Sequence, residues 1–196
     1  MTVKIKICGI RSIEAAQAAT ENGADFLGFN FVPTSKRYIS PADALKIISQ
    51  IKGKIKIVGI FQDAEISYIN DIVLKLGLDY VQLHGNEDND YMNNISIPII
   101  KSVKLADQLQ NIQARYFLLD RVKRGEEEMV DFDQAAKLAA NFPIFYAGGL
   151  SPDNVGEVIE KVKPFAVDVA SGIETDSMQD IQKIKKFIKN AKEVLI

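Results

Sequence analysis

The chain has 196 residues, 47% hydrophobic and 26% charged, which is ordinary for one soluble globular domain with a full core, expected to span residues 1–196. A net charge of −2 gives no electrostatic reason to expect nucleic acid or an anionic membrane surface as partner. No apolar run approaches the roughly 20 residues of a spanning helix, no signal-peptide pattern is present, and one cysteine cannot form an internal disulfide, so the expected location is the reducing cytoplasm.

The first run rich in β-branched residues, Lys4–Ile10, reads as a strand that carries Cys8 and Gly9 near its end. Ser12 is placed to cap a helix over Ile13–Glu21. A second strand, Phe26–Phe31, leads into the loop Pro33-Thr-Ser-Lys-Arg-Tyr38, after which Ser40-Pro41 opens a helix running to Ile51. Ile55–Phe61 reads as a strand and Ile66–Leu76 as a helix stopped by Gly77. Strands Tyr80–His84, Pro98–Val103 and Tyr116–Asp120 follow, then a polar stretch from Arg121 to Asp133 that reads as one exposed loop. Ile144–Gly148 is a strand, Pro152–Lys161 a helix after Ser151, and Phe165–Ala170 the last strand. A closing helix over Asp176–Val194 carries lysines towards its end, where they suit the helix dipole.

The strand runs are almost continuously apolar, as parallel strands buried on both faces require. Eight strand and helix units in alternation predict a closed (β/α)8, or TIM, barrel, compact at 196 residues, with a doubly wound open sheet as the rival. In such a barrel the chemistry belongs at the C-terminal ends of the strands. Cys8, Asn30, His84, Asp120, Gly148-Gly149 and Ser171-Gly172 all fall there.

Cys8 at a strand end is placed to act as nucleophile or base; the alternative is a small buried core thiol. Lys6, two residues earlier, shares its direction, and a nearby ammonium favours thiolate. Asp120 closes an apolar strand, where a carboxyl with a raised pKa serves as a general acid, or else caps a helix or pairs with a neighbouring cation. Arg37 offers a fork that bonds both oxygens of a carboxylate; the alternative is a solvated loop charge. His84, the only histidine, either lines the site or makes a rim hydrogen bond. The glycine pair Gly148-Gly149 and the turn Ser171-Gly172 follow the seventh and eighth strands, the usual phosphate position of the fold, where backbone N–H groups approach an anion closely. One cysteine and one histidine make a zinc site a poor reading, and no dinucleotide fingerprint or Walker A sequence is present.

Together Lys6-Ile-Cys-Gly-Ile10, Ser35-Lys-Arg37, Gln82-Leu-His-Gly85, Leu119-Asp120, Ala147-Gly-Gly-Leu150 and Asp168-Val-Ala-Ser-Gly-Ile-Glu174 resemble the phosphoribosylanthranilate isomerase family of the tryptophan pathway. The resemblance runs in order from the first strand to the eighth. It implies a cofactor-free barrel acting on a small phosphosugar substrate by general acid–base catalysis, in an Amadori rearrangement to the 1-deoxyribulose 5-phosphate derivative. By that resemblance Asp120 is the general acid and Cys8 the base, Arg37 holds the anthranilate carboxylate, and His84 and Asp168 contact the substrate, Asp168 near the sugar hydroxyls. Gly148, Gly149, Ser171 and Gly172 hold the phosphate. Monomer and homodimer stay equally open.

One stretch departs from the family pattern. The family usually carries Gly-Gly-x-Gly and then Phe-Asp-Trp after the strand-six aspartate. Here residues 121–131 are charged, with a single glycine at Gly125, and only Phe132-Asp133 remains. This keeps a related phosphosugar-binding barrel with altered substrate or lost turnover as the alternative.

Overall fold

The computed structural model describes residues 3–51, 55–103, 109–120 and 132–194. Its strands are β1 (Lys4–Cys8), β2 (Phe26–Asn30), β3 (Lys56–Phe61), β4 (Tyr80–Leu83), β5 (Ile99–Val103), β6 (Tyr116–Leu119), β7 (Ile144–Tyr146) and β8 (Ala166–Val169), paired in chain order. All neighbours are parallel, and β8 returns to β1 with Lys4 opposite Ala166 and Lys6 opposite Asp168. The sheet therefore closes as the expected barrel, and the open doubly wound sheet is ruled out.

Successive side chains of a strand point to opposite faces of the sheet. Outward residues such as Ile5, Ile7, Leu27, Phe29 and Ile57 join the helices in the main core. Inward residues Phe26, Val58, Ile100, Leu118, Phe145 and Ala166 form a separate cluster inside the barrel. Two buried faces explain why the strands read as continuous apolar runs.

The inward column changes character along the strands. Near their start Phe26 meets Tyr80 edge-to-face at 5.6 Å and Phe145 at 5.3 Å, and Tyr116 meets Phe145 at 5.6 Å, which seals the floor. Stepping by two keeps the face, so Tyr80 leads to Gln82 and His84, Tyr116 to Leu118 and Asp120, and Ala166 to Asp168. The upper layer of the same column is thus polar.

Helices α1 (Ile13–Glu21), α2 (Pro41–Ile51) and α3 (Ile66–Leu76) have the expected bounds. Ser12 Oγ accepts the Ala15 N–H at 3.1 Å, and Gly77 ends α3 at φ 61°. Among the described residues, two of the connections carry less than a full helix. The β4–β5 connection carries a one-turn α4 (Asn89–Met92), and the described part of the β5–β6 connection only a 3-10 turn, Leu109–Asn111. Helix α5 (Phe132–Asn141) takes in the last two residues of the expected polar loop, whose remainder, 121–131, lies outside the described residues.

Two helix starts also differ from the reading of the sequence. Helix α6 (Val155–Val162) begins three residues after Pro152, because the Asn154 amide is engaged in a turn: its Oδ1 accepts from Ser151 N at 2.8 Å and its Nδ2 donates to Gly149 O at 2.9 Å. Helix α7 (Ile181–Glu193) begins at Asp180, whose carboxylate accepts from the N–H groups of Gln182 and Lys183. The residues before it form a hairpin of β9 (Glu174–Thr175) and β10 (Met178–Gln179). Its turn residues Asp176 and Ser177 have φ 50° and 63°, the mirror-image turn that suits tight hairpins.

Phe145 is fully buried and packs on Phe26, Tyr116 and Phe165. Phe145→Ala is expected to remove about 3–5 kcal/mol of stability, read as a lower urea midpoint with an unchanged slope.

Candidate active site

A cavity of about 600 Å³ opens at the C-terminal ends of the strands. Cys8, Arg37, His84, Asp120 and Asp168 line it, and so do Gly148, Gly149 and Ser171. Gly172, the remaining candidate, does not reach its wall. β6, which leads to Asp120, stands three strands round the closed barrel from β1, which carries Cys8. Cys8, His84, Asp120 and Asp168 lie within about one residue of the ends of their strands, so the sheet fixes their backbones while their side chains converge.

Cys8 sits half-buried beside two buried charges. Lys6 Nζ donates to Asp168 Oδ2 at 2.7 Å, and its charge acts on the neighbouring Cys8. Lys6 is 0% exposed and Asp168 6%. Burial works against the Lys6 charge, but Asp168 and Cys8 together hold its pKa above the ordinary lysine value. The thiol behaves otherwise than the sequence suggested. Burial, then the Asp168 carboxylate, push Cys8 up to about 11, and the opposing pull of Lys6 and Arg37 falls short. Gly28 on the facing strand leaves the sulfur its room, since a Cβ there would stand 3.0 Å from Sγ.

Arg37 is not a solvated loop charge. Its Nε and Nη2 donate to Glu174 Oε1 and Oε2, each at 2.7 Å, and hydrogen bonding to Glu174 holds its pKa above the ordinary arginine value. The loop that carries it is pinned by Ser35 Oγ, which accepts from Arg37 N and from Asn30 Nδ2, each at 3.1 Å. Asn30 Oδ1 in turn accepts from Val32 N at 2.9 Å.

His84 both lines the cavity and makes a rim hydrogen bond, to the Gln82 side-chain amide. Burial, then the positive charge of Lys6, push its pKa down to about 4, so it is neutral near pH 7. Two buried acceptors on the cavity wall, Gln82 Oε1 and Asp168 Oδ1, have no hydrogen-bond partner. Buried acceptors are rarely left this way, and both can receive hydroxyl or amine protons from a bound molecule. Beneath the β4 loop, Lys101 Nζ donates to Glu87 Oε2 and to Gly85 O, each at 2.7 Å, and Glu87 Oε1 accepts from Asp63 N at 2.8 Å. This buried pair ties the β3 and β4 loops together.

Gly148 and Gly149 adopt φ 83° and 68°, a left-handed path open to glycine. Gly172 acts from behind: a Cβ there would lie 1.8 Å from Leu150 O, so its bare backbone lets the β7 and β8 loops touch. Among the described residues no group of His, Cys, Asp or Glu could hold a metal ion.

Sequence reasoning quoted Gln82 and Glu174 only as members of motifs and gave them no role, and it missed the Lys101–Glu87 pair. Gln82 had a further signal, since it shares a face with His84 two residues on. The partners of Glu174 and Glu87 are distant in the chain, so their pairings had none.

A family model described as N-(5'phosphoribosyl)anthranilate (PRA) isomerase matches residues 5–190. The N-(5'-phosphoribosyl)anthranilate isomerase of Streptococcus mutans is 40% identical over 192 residues, covering 97% of this chain and 99% of its own. Phosphoribosyl anthranilate isomerase from Thermotoga maritima superposes with a TM-score of 0.90 at 38% identity, over 98% of this chain and 100% of that one. A phosphoribosyl anthranilate isomerase in complex with reduced 1-(o-carboxyphenylamino)-1-deoxyribulose 5-phosphate superposes at 0.87 with 38% identity, over 98% and 100% of the two chains.

Asp168→Asn removes a negative charge beside Cys8 while keeping an acceptor for Lys6. It is expected to lower the thiol pKa from about 11 by about one unit or more, read by thiolate absorbance against pH, a signal that one cysteine makes unambiguous. His84 gives a second expectation. Its folded pKa of about 4 lies below the ordinary 6.5, so its contribution to stability is complete above pH 6.5 and is lost as pH falls through 4. That contribution is of order 3 kcal/mol. In urea titrations across this window, His84→Gln should flatten the acid loss of stability.

Proposed function

The chain belongs to the N-(5'-phosphoribosyl)anthranilate isomerase family, and on that premise we propose how its residues divide the reaction. The protein is an isomerase of tryptophan biosynthesis, carrying out the Amadori rearrangement of N-(5-phosphoribosyl)anthranilate to 1-(2-carboxyphenylamino)-1-deoxyribulose 5-phosphate. The observation that carries the assignment of roles is that one cavity joins Cys8, Asp120, Arg37 and the Gly148-Gly149 turn at a single barrel rim.

The substrate is anionic at both ends. Arg37 receives the carboxylate, and the backbone of Gly148, Gly149 and Ser171 receives the phosphate, with Gly172 keeping the two loops together. Anchoring both ends places the reacting sugar carbons between them. Asp120 protonates the ring oxygen; the C1–O bond breaks, and the nitrogen lone pair forms an iminium at C1. Cys8 then takes the proton from C2, the C2–H pair becomes the C1–C2 double bond, and the iminium is neutralised to an enolamine. Protonation at C1 and loss of the hydroxyl proton give the ketone. Gln82 Oε1 and Asp168 Oδ1 accept from the sugar hydroxyls, and neutral His84 holds Gln82 in place.

A thiol pKa of about 11 sets thiolate formation at about 5 kcal/mol near pH 7. The iminium supplies positive charge next to Cys8 at the moment its base form is needed, adding to Lys6. Every step is a proton transfer, so the reaction calls for no cofactor. A monomer or a homodimer of this one-domain barrel (1–196) would serve, and we place it in the cytoplasm, where the thiol stays reduced. No described helix is long and apolar enough to cross a membrane.

The test is turnover of phosphoribosylanthranilate generated in place from anthranilate and phosphoribosyl pyrophosphate by the preceding enzyme. Cys8→Ala and Asp120→Asn are each expected to lower kcat by about 10²–10⁴-fold. Cys8→Ser and Asp120→Asn should shift different limbs of the pH–rate profile. Variants that retain wild-type kcat, or a profile in which both act on one limb, would overturn the assignment.

A further inference from the structure

Glu174 has no part in the proton transfers, yet it gathers the cations of the rim. Arg37 holds its carboxylate side-on through Nε and Nη2. Arg11 and Lys36 stand 3.8 and 3.9 Å from the same carboxylate. Three cations thus share one carboxylate. The Glu174 side chain is only 7% exposed, and its backbone is tied down by the β9–β10 pairing and by Lys183 Nζ, which donates to Glu174 O at 2.8 Å. Arg37 lines the cavity, whereas Glu174 does not. The Arg37 stem lies over Gly9, where a Cβ would stand 2.6 Å from Cδ, so the guanidinium is set between the end of β1 and the hairpin.

A guanidinium carries five N–H donors in a planar fork. Side-on pairing with Glu174 uses Nε–H and one Nη2 proton. The end-on edge, made by Nη1 and the second Nη2 proton, remains for a second carboxylate in the same plane. We propose that Glu174 is a positioning residue: it grips Arg37 from behind so that this edge faces the cavity and selects substrates bearing a carboxylate on the aromatic ring. This rests on the reading that Arg37 receives the substrate carboxylate. The opposite role, an internal carboxylate that substrate must displace, fits less well, because Glu174 is anchored by its own hairpin and stays off the cavity wall.

The experiment compares two ligands by calorimetry: reduced 1-(o-carboxyphenylamino)-1-deoxyribulose 5-phosphate and its phenylamino counterpart without the carboxylate. Wild type is expected to prefer the first. Glu174→Gln, which keeps shape and removes charge, should weaken the first by about 10–100-fold and leave the second within about twofold, with KM raised and kcat within about threefold. In an Arg37→Lys background the same change should cost nothing further, since the side-on pair is already gone. Equal loss for both ligands would make Glu174 a support of the fold only, tighter binding of the carboxylated ligand would make it a competitor, and no change would make it idle; each overturns the proposal. A wild type without preference would overturn the Arg37 reading and the proposal with it. Should the Gln variant not fold, Glu174→Asp keeps the charge but withdraws it by one methylene, and an unaltered preference there would also overturn the proposal.

Discussion

A barrel closes where its first strand meets its last, and here an ion pair lies in that seam. Lys6 on β1 and Asp168 on β8 face each other in register and bond at 2.7 Å inside the barrel. A buried pair of this kind is weak evidence for stability, since apolar residues of similar volume often serve as well or better. Its value lies in what it orients. The Lys6 charge acts on Cys8, while the second Asp168 oxygen, without a protein partner, remains on the cavity wall. One interaction therefore joins the seam, the thiol and a free acceptor, and breaking it would disturb all three.

The rest of the site follows from the division of the barrel interior into layers. Aromatic rings pack edge-to-face across the floor, where shape alone matters. Higher on the same inward columns stand Cys8, Gln82, Asp168 and Asp120. A polar layer on an apolar plug has few ways to relax, so buried charges there act strongly on one another. The raised Cys8 and lowered His84 pKa values share this origin: burial is the largest cause of each, and Lys6 acts on both in the direction that its positive charge requires.

Around the rim, short loops hold the groups that meet the ends of a ligand. Ser35 and Asn30 order the Arg37 loop through side-chain to backbone bonds, Asn154 clasps the Gly148-Gly149 turn, and Gly172 allows the β7 and β8 loops to touch. These are small polar and glycine residues whose work is to leave backbone groups in the right place. The Glu174 hairpin extends the same scheme to a charged side chain.

The sequence by itself determined the eight parallel strand runs and made the barrel the expected closure, because its evidence is local and periodic. Eight apolar runs at regular spacing admit few arrangements, and Ser12 and Gly77 mark helix ends through bonds that reach only a few residues. It also placed Cys8, Asp120 and the glycine turns at strand ends, which can be counted, and Arg37 in the loop after the second strand. The starts of α6 and α7 were hidden, because Asn154 and the Asp176-Ser177 turn compete with helix signals that look sound in isolation. Only the tertiary structure decided the partners. Lys6 and Asp168 are 162 residues apart, and Arg37 and Glu174 are 137 apart. Whether Cys8 rests as thiol or thiolate depends on burial and on charges brought in from other strands. Pairings of that range are set by barrel closure, which no window of sequence contains.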